Sequence, residues 1–597
     1  MIDFPNLTGI KRIVLDVETS GLDWKQHRPV GYVVTWGPGA HETRYFPTDH
    51  TGGGNLPKHE ILAYLTDLLG RPDLAVIGHN LKFDLHFAAN DLLSICGPVE
   101  DTQCNAALID ENVNAYSLDA VATRCGVQAK KGAELYAELA TQFGGRVDKS
   151  QMANFHLLPG NHPLVVEYAE GDGTTTWQVR DVQQTILDNE NLHAVWEVES
   201  SVLPVLFRME RRGVRVHEER LAWLKQWLTE QVQEAEKALP QGFNPRATSQ
   251  IREYLQTRGV TTFMKTQPTE RFPDGTDSFM APWLETIPEA KPILVLRRFS
   301  GLLSKFVDPM LEKHLFNGRV HCEFNQLRAD EFGTVTGRLS SSRPNMQQIP
   351  KRNKELAPLF RQIFLPEKGH QWSLNDYSQQ EFRVFADYTG SQVLLDGYKA
   401  IPPLDIHSVV ADLLHVERDP AKTMNFGILY GMGVAKLARS LGIPEQEAAQ
   451  LRAKYDTMLP EVKRFTHQAE RTAASRGWVR TKLHRRRRFP DRLYAYKAGN
   501  AVIQGSSADM TKVKMVEIDR YFRQAKCESA LMLQVHDELD WTLGPDDAPL
   551  DMGARAIMES FDEKDKIQFD VPMKVDQSVA DDWGRASFPG WEGPDGQ

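Results

Sequence analysis

Cysteine is scarce. There are five in 597 residues, irregularly spaced and without a CxxC pair, so neither a zinc site nor a disulfide framework is expected. No stretch approaches the ~18–20 apolar residues that a bilayer span requires. The opening segment MIDFPNLTGIKR lacks the apolar core of a secretory signal. A cytoplasmic protein without a membrane partner is therefore the expectation. Tandem repeats and low-complexity linkers are missing. Positive charge is not in excess either: 70 basic against 80 acidic residues leave a net −10. That balance argues against indiscriminate nucleic-acid binding, but it permits a groove with local positive charge.

What is present is an ordinary globular composition, 41% hydrophobic and 25% charged, in a chain too long for one core. Residues 1 to about 190 alternate strand-like and helix-like segments: IVLDVE, VGYVVTW, HEILAYLTDLLG, LAVIG and LKFDLHFAAND. This order predicts an α/β unit. From about 195 to 240 the pattern is helical, interrupted at Arg212-Gly213-Val214. GFNPRATSQIREYL then reads as a loop feeding an N-capped helix. One basic run stands out: GWVRTKLHRRRRFPDR (477–492) holds seven Lys/Arg against one Asp.

Asp16 and Glu18 lie two apart in the apolar strand IVLDVET, so both carboxylates face one side of a sheet. Such a pair is costly unless a cation neutralises it. Asn80 and Asp84 follow in GHNLKFD, and Tyr168 and Asp172 in YAEGD share a helix face at i,i+4. Four carboxylates with oxygen-only donors suit two Mg²⁺ or Mn²⁺ ions rather than zinc. Paired ions of that kind can activate a water and stabilise the leaving 3′ oxygen of a phosphodiester, with Tyr168 orienting the water. The three motifs in this order resemble the DEDD exonucleases of the Tyr-containing branch.

A second constellation is a helix that begins near Arg418. Arg418, Lys422, Phe426 and Tyr430 recur every four residues, a stripe that is cationic at its start and aromatic at its end. It suits a nucleoside triphosphate, with the phosphates on the cations and the helix start. Asp419-Pro420 reads as N-cap and first helical position, and Gly427 and Gly431 as weak points in the helix. A third constellation is a pair of distant aspartates. Asp376 ends a strand in LNDYSQQEFR, and Asp537 sits at a hairpin junction in ALMLQVHDELDWTL. At two strand ends they could share a pair of Mg²⁺ ions with a triphosphate.

Together, TVTGRLSSSRPNMQQIP (334–350), DYSQQEFR (376–383), the RxxxKxxxFxxxYG helix and QVHDE closely resemble DNA polymerase family A. The resemblance implies an α/β and α+β multidomain fold. A ribonuclease H-like 3′–5′ exonuclease domain (1–190) would precede a right-hand polymerase domain (191–597). Within the latter it implies a thumb near 200–325, a palm near 326–390 and 511–597, and fingers near 391–510. It further implies catalytic Asp376, Asp537, Glu538 and Lys422, with metal on the two aspartates. Arg418, Lys422, Phe426, Tyr430, Gln379, Glu381 and His407 would surround the dNTP. Glu381 would crowd the sugar 2′ position, and Phe426, in place of Tyr, would discriminate against dideoxynucleotides. Arg338, Asn500, Gln504, Gln534, His536, Arg485 and Arg486 would contact DNA.

The chain departs from the family at His484-Arg485-Arg486, where Gly-Arg-Arg is usual. It departs again at Tyr496, where many relatives carry Arg and where Lys497 is the neighbouring substitute. The exonuclease motif begins at Asp16, so no 5′-nuclease domain is expected ahead of it. The expected function is template-directed addition of dNTPs to a primer 3′-OH with 3′–5′ proofreading, in a phage replicative polymerase acting in the host cytoplasm. Its cofactors would be two Mg²⁺ per site, with Mn²⁺ able to substitute. Its partners would be primer–template DNA and dNTPs, with helicase, primase or single-stranded-DNA-binding protein as accessory candidates. The alternatives are a fragment of a bacterial-type repair polymerase and an exonuclease with a non-polymerising DNA-binding domain.

Overall fold

The computed structural model describes residues 2, 4–37, 42–128, 132–328, 334–562 and 566–593. Its N-terminal unit is built on a five-stranded sheet. Strands β1 (Arg12–Thr19), β2 (Pro29–Trp36) and β3 (Glu42–Pro47) run as an antiparallel meander. Helix α1 (Lys58–Leu69) then crosses to β4 (Ala75–Gly78), which pairs parallel with β1. Helix α2 (Leu81–Asn90) leads to β5 (Val99–Asp101), parallel to β4, and α3 (Thr102–Ile109) follows at once. The sheet order is β3-β2-β1-β4-β5. β2 is buried along its whole length, as strands covered on both faces are. The long helix α4 (Pro163–Glu190) closes one face of this sheet.

Gly173 sets how near α4 comes. A Cβ there would lie 2.3 Å from Thr35 Oγ1 and 2.9 Å from Val33 Cγ1, so only glycine permits this approach to β2. The chain turns at Asn191 (φ 54°) into α5 (His193–Arg212). That helix stops at Gly213 (φ 63°), where the sequence predicts the break. Helices α6 (Glu218–Lys237) and α7 (Lys291–Leu302) pack on each other in the segment that follows. Between them GFNPRATSQ departs from expectation: its helix starts at Thr248 behind Ala247, which cannot cap it with a side chain.

The C-terminal half is organised by a second, antiparallel sheet. Strand β6 (Gln371–Tyr377) leads into α8 (Gln380–Thr389), with Gln379 left-handed (φ 55°) between them. Helices α9 (Ile406–Leu414) and α10 (Arg418–Leu429) lie side by side. A two-stranded ribbon, β7 (Trp478–Arg480) and β8 (Arg486–Arg488), is followed by the 28-residue α11 (Ala498–Ala525). Strands β9 (Ala530–Val535), β10 (Glu538–Leu543) and β11 (Val575–Ala580) complete the sheet in the order β9-β10-β6-β11, and α12 (Trp583–Ser587) packs on it. No helix among the described residues is long and apolar enough to cross a membrane.

Candidate active sites

The first site forms where β1 meets α4. Period-2 geometry holds Asp16 and Glu18 on one face, and α4 brings Asp172 down beside them. One ligand atom from each of these three carboxylates lies within 4.8 Å of the other two, a spacing that fits a divalent cation. Asp84 stands next to the trio rather than in it. Buried in the first turn of α2, it accepts a 2.9 Å bond from the Val17 amide of β1. Burial, and after it the charge of Asp16, push its carboxyl well above the usual range. Tyr168, one turn before Asp172, is buried, and its phenol is raised by burial and by Asp172 and Glu18.

Sequence reading missed how α2 is held. Asn80 at its N-cap is left-handed (φ 62°) and makes no side-chain cap. Asp101, at the end of β5, does the capping instead. Its two oxygens accept from the Asn80 amide (3.0 Å), the Leu81 amide (2.9 Å) and the Gln103 amide (2.7 Å). One buried carboxylate thus caps two helices and fixes the turn that presents Asp84. The local pattern of Asp before Thr-Gln at a strand end was its only signal.

The second site lies on the antiparallel sheet. Asp376 of β6 sits directly opposite Glu538 of β10 and Asp576 of β11. Asp537 occupies the β9–β10 turn, after His536 (φ 61°), and its carbonyl accepts from the Tyr377 amide at 3.1 Å. Burial, with Asp376 next, pushes the Asp537 carboxyl up to about 7. Asp376 is raised by burial against the opposing pull of Lys351. Its Oδ1 is buried without a hydrogen-bond partner among the described residues. Two acids that resist ionising together, one with an orphaned oxygen, are a fit for divalent cations.

Glu538 behaves differently. Although burial alone would raise it, Arg361 and Lys351 hold its carboxyl below the usual range. Oε1 accepts from Trp583 Nε1 at 3.0 Å, and Oε2 pairs with Lys351 Nζ at 3.1 Å. Arg361 is fully buried, 3.5 Å from Oε1 and stacked 4.0 Å over the Trp583 ring. Lys351, Arg361 and Trp583 were not foreseen, because nothing in their local sequence marks them. Only the fold carries them to this strand.

The helical stripe of Arg418, Lys422 and Phe426 forms, with altered ends. Helix α10 starts at Arg418 itself, behind Glu417, so Asp419-Pro420 lies inside the first turn and is not the cap. It ends at Leu429, and Gly431 (φ 68°) is its terminator, not a weak point within it. The Tyr496 carbonyl would lie 3.0 Å from a Cβ at Gly431, so a side chain there would be both strained and crowded. Arg418 and Lys422 are exposed. Phe426 stacks parallel on Tyr430 at 6.3 Å and meets Phe382 edge-on at 4.6 Å. His407 is buried against Phe382, its Nδ1 bonded to Asn425 Nδ2 at 3.0 Å, and burial lowers its pKa.

Asp405, another residue sequence reading passed over, joins Arg418 Nε (2.6 Å) to Gln379 Nε2 (3.4 Å). Glu381 accepts from the Tyr430 hydroxyl at 2.8 Å and pairs with Arg338, so the stripe's aromatic end is tied to α8.

Of the expected DNA contacts, Arg338, Gln534 and His536 line one cleft beside α11. Asn500 and Gln504 lie near the start of α11, where Gln504 accepts from Thr336 at 2.7 Å. Lys497 lies over the Tyr494 ring at 4.6 Å. The basic run requires a correction. Arg485 is buried, with Nε on Asp509 at 2.7 Å and Nη2 on Glu199. Arg486 pairs with Glu190 at 3.1 Å and lies over Trp478. Arg487 and Arg488 both reach Glu111 of the N-terminal unit, at 3.0 and 2.8 Å. Arg485 to Arg488 are thus internal counter-ions joining the two halves of the chain, where the resemblance implied DNA contacts for Arg485 and Arg486.

Residues 216–585 match DNA polymerase family A, and residues 5–181 match a 3′-5′ exonuclease family. The chain is 31% identical to "DNA polymerase DpoZ" of Salmonella phage PMBT28, across 98% of this chain and 99% of that one. It is 30% identical to the "DNA-directed DNA polymerase" of Pseudomonas phage M6, across 99% and 96%. "DNA polymerase I" of Chloroflexus aurantiacus is 30% identical over 91% of this chain and 58% of its own length. The fold is similar to that of the POL domain of Pol1 from M. smegmatis, solved with DNA primer-template and dNTP. The TM-score is 0.81 at 24% identity, over 97% of each chain. The chain belongs to DNA polymerase family A and is a DNA polymerase that carries a 3′–5′ exonuclease domain ahead of its polymerase domain.

Proposed function

We propose that this polymerase extends a primer at the Asp376/Asp537 site and edits it at the Asp16/Glu18/Asp172 site. The observation that carries this reading is the presence of two separate carboxylate pockets, one on each sheet. In the palm, Asp376 and Asp537 would hold Mg²⁺, or Mn²⁺ in its place. Glu538 is anchored by Arg361 and Trp583 and supports the site from within the strand. When bound, the paired ions supply Lewis-acid stabilisation of attacking and leaving oxygens. Arg418 and Lys422 are the cations available to the triphosphate, and Arg418 is pre-aimed by Asp405. Phe426 and Tyr430 offer stacked faces for sugar and base. Glu381, fixed by Tyr430 and Arg338, is the steric check at the sugar 2′ position.

In the exonuclease domain Asp16, Glu18 and Asp172 would hold the metal. Asp84, held by the Val17 amide of β1, would be the fourth carboxylate for a second ion, and Tyr168 would position the attacking water. Arg338, Gln534 and His536 would meet the minor-groove edge of the primer terminus, whose acceptors are shared by all base pairs. The domain limits follow the same reading, with editing in 1–190 and polymerisation in 191–597. Similarity along nearly the whole of phage polymerases supports a role in phage genome replication in the host cytoplasm.

Primer extension from a mismatched 3′ end tests both activities. The wild type should remove the mismatched nucleotide and then extend. Asp16→Ala with Glu18→Ala should stall on it while extending a matched primer. If the double variant still trims, the editing site lies elsewhere.

A further inference from the structure

Lys351 follows Pro350 in a loop outside the sheet. Its Nζ lies 3.0 Å from Asp376 Oδ2 and 3.1 Å from Glu538 Oε2. These carboxylates face each other across the strand pair, an arrangement that repels unless a cation lies between them. Their surroundings are unequal. Glu538 is 1% exposed and gripped on its other oxygen by Trp583 and Arg361, both fully buried. Asp376 is 31% exposed and Lys351 45%. The contact to Asp376 can open, whereas the Glu538 end is fixed by its surroundings.

We propose that Lys351 is a tethered counter-ion of the palm: anchored on Glu538, it neutralises Asp376 in the metal-free chain and competes with the incoming divalent cation for that carboxylate. This rests on Asp376 being a metal ligand. It gives Glu538 a distinct role, as the anchor of Lys351 rather than a ligand itself. The ammonium occupies the acid-lined space with one charge where a metal would bring two. Lys351 holds Oδ2 of Asp376 and leaves the unpartnered Oδ1 to the metal, which must then bind beside the ammonium. The chemistry is a competition between two cations for the charge of one carboxylate, and the ammonium's positive charge repels the metal. The device keeps the palm carboxylates paired and ordered when no metal is bound, and it makes metal entry harder.

The test is Mn²⁺ binding without DNA or nucleotide, read by electron paramagnetic resonance. The parent is the Asp16→Ala, Glu18→Ala enzyme, so that the palm is the site observed. Adding Lys351→Gln should tighten Mn²⁺ binding by about five- to tenfold. Adding Lys351→Arg, which keeps the charge, should leave the affinity close to the parent's. Adding Asp376→Ala should abolish the site. Unchanged or weaker binding in Lys351→Gln overturns the proposal, as does equal tightening in Lys351→Arg. Mn²⁺ binding that survives Asp376→Ala overturns instead the reading of Asp376 on which the proposal rests.

Discussion

Replacing Arg485 by Met separates two accounts of the basic run, because they predict opposite results in two assays. Arg485 belongs to a closed set of two acids and two cations inside the protein. It bonds Asp509 at 2.7 Å and pairs with Glu199, while Lys512 Nζ lies 2.6 Å from the same Glu199 oxygen. Thr481 and Gln326 satisfy remaining acceptors of Asp509 and Glu199, each at 2.6 Å. Removing one cation leaves Asp509 with the Thr481 hydroxyl alone and an uncompensated charge in the interior, a loss of about 3–5 kcal/mol.

A second route gives a similar size. Burial alone would raise the Glu199 carboxyl, but Lys512 and Arg485 outweigh it and hold it at about 2, against 4.5 when unperturbed. A folded-state pKa below the unfolded one contributes stability above pH 4.5 that is lost as pH falls toward 2. It amounts to about 3 kcal/mol, shared between the two cations. The assays are hydrogen exchange across the β7–β8 ribbon and α11, and primer–template binding by anisotropy over a range of salt. Exchange should speed up by two orders of magnitude or more, consistent with about 3 kcal/mol. The slope of log affinity against log salt should not change. A slope reduced by about 0.9 with exchange untouched would restore Arg485 to the DNA groove and refute the structural account.

Asp376→Ala should cut extension by about a thousandfold or more, the scale of losing a metal-binding carboxylate, while single-strand digestion continues. Loss of both activities would point to misfolding. Phe426→Tyr places a hydroxyl on the ring stacked against Tyr430. It should raise dideoxynucleotide use by about tenfold in a ddNTP/dNTP competition, the worth of one hydrogen bond to a charged acceptor, and an unchanged ratio would reject this role. His50 is buried in the exonuclease domain, bonded to Tyr45 (2.6 Å) and to the Leu158 carbonyl (2.9 Å), and burial lowers its pKa to about 4. Its depressed value means stability is present above pH 6.5 and lost as pH falls through 6.5 toward 4, by about 2–3 kcal/mol. Thermal melts at pH 7 and 4.5 should show that loss in the wild type and a smaller one in His50→Gln; equal losses would exclude His50 as the cause.

Much of both sites was legible because their signals are periodic or contiguous. Asp16 and Glu18 are neighbours on a strand face, Tyr168 and Asp172 neighbours on a helix face, and Arg418, Lys422 and Phe426 a stripe. Each follows from backbone repeat alone. Helix ends were less legible. The start of α10 shifted from Asp419-Pro420 to Arg418, since caps depend on which amides the surrounding chain leaves unsatisfied.

Pairings between distant residues could not be read at all. Four consecutive arginines look the same in sequence whether they face phosphates or carboxylates. The choice was made by Glu111, Glu190, Glu199 and Asp509, which come from as far as 377 positions away. The same holds for Lys351 on Asp376 and Glu538, and for Asp101 capping α2. By itself the chain's order of residues determined the elements, their faces and the acids and cations they present, because these rest on local geometry. Only the tertiary structure decided which charge neutralises which, because burial and a few ångströms of separation set the sign and size of electrostatic energy.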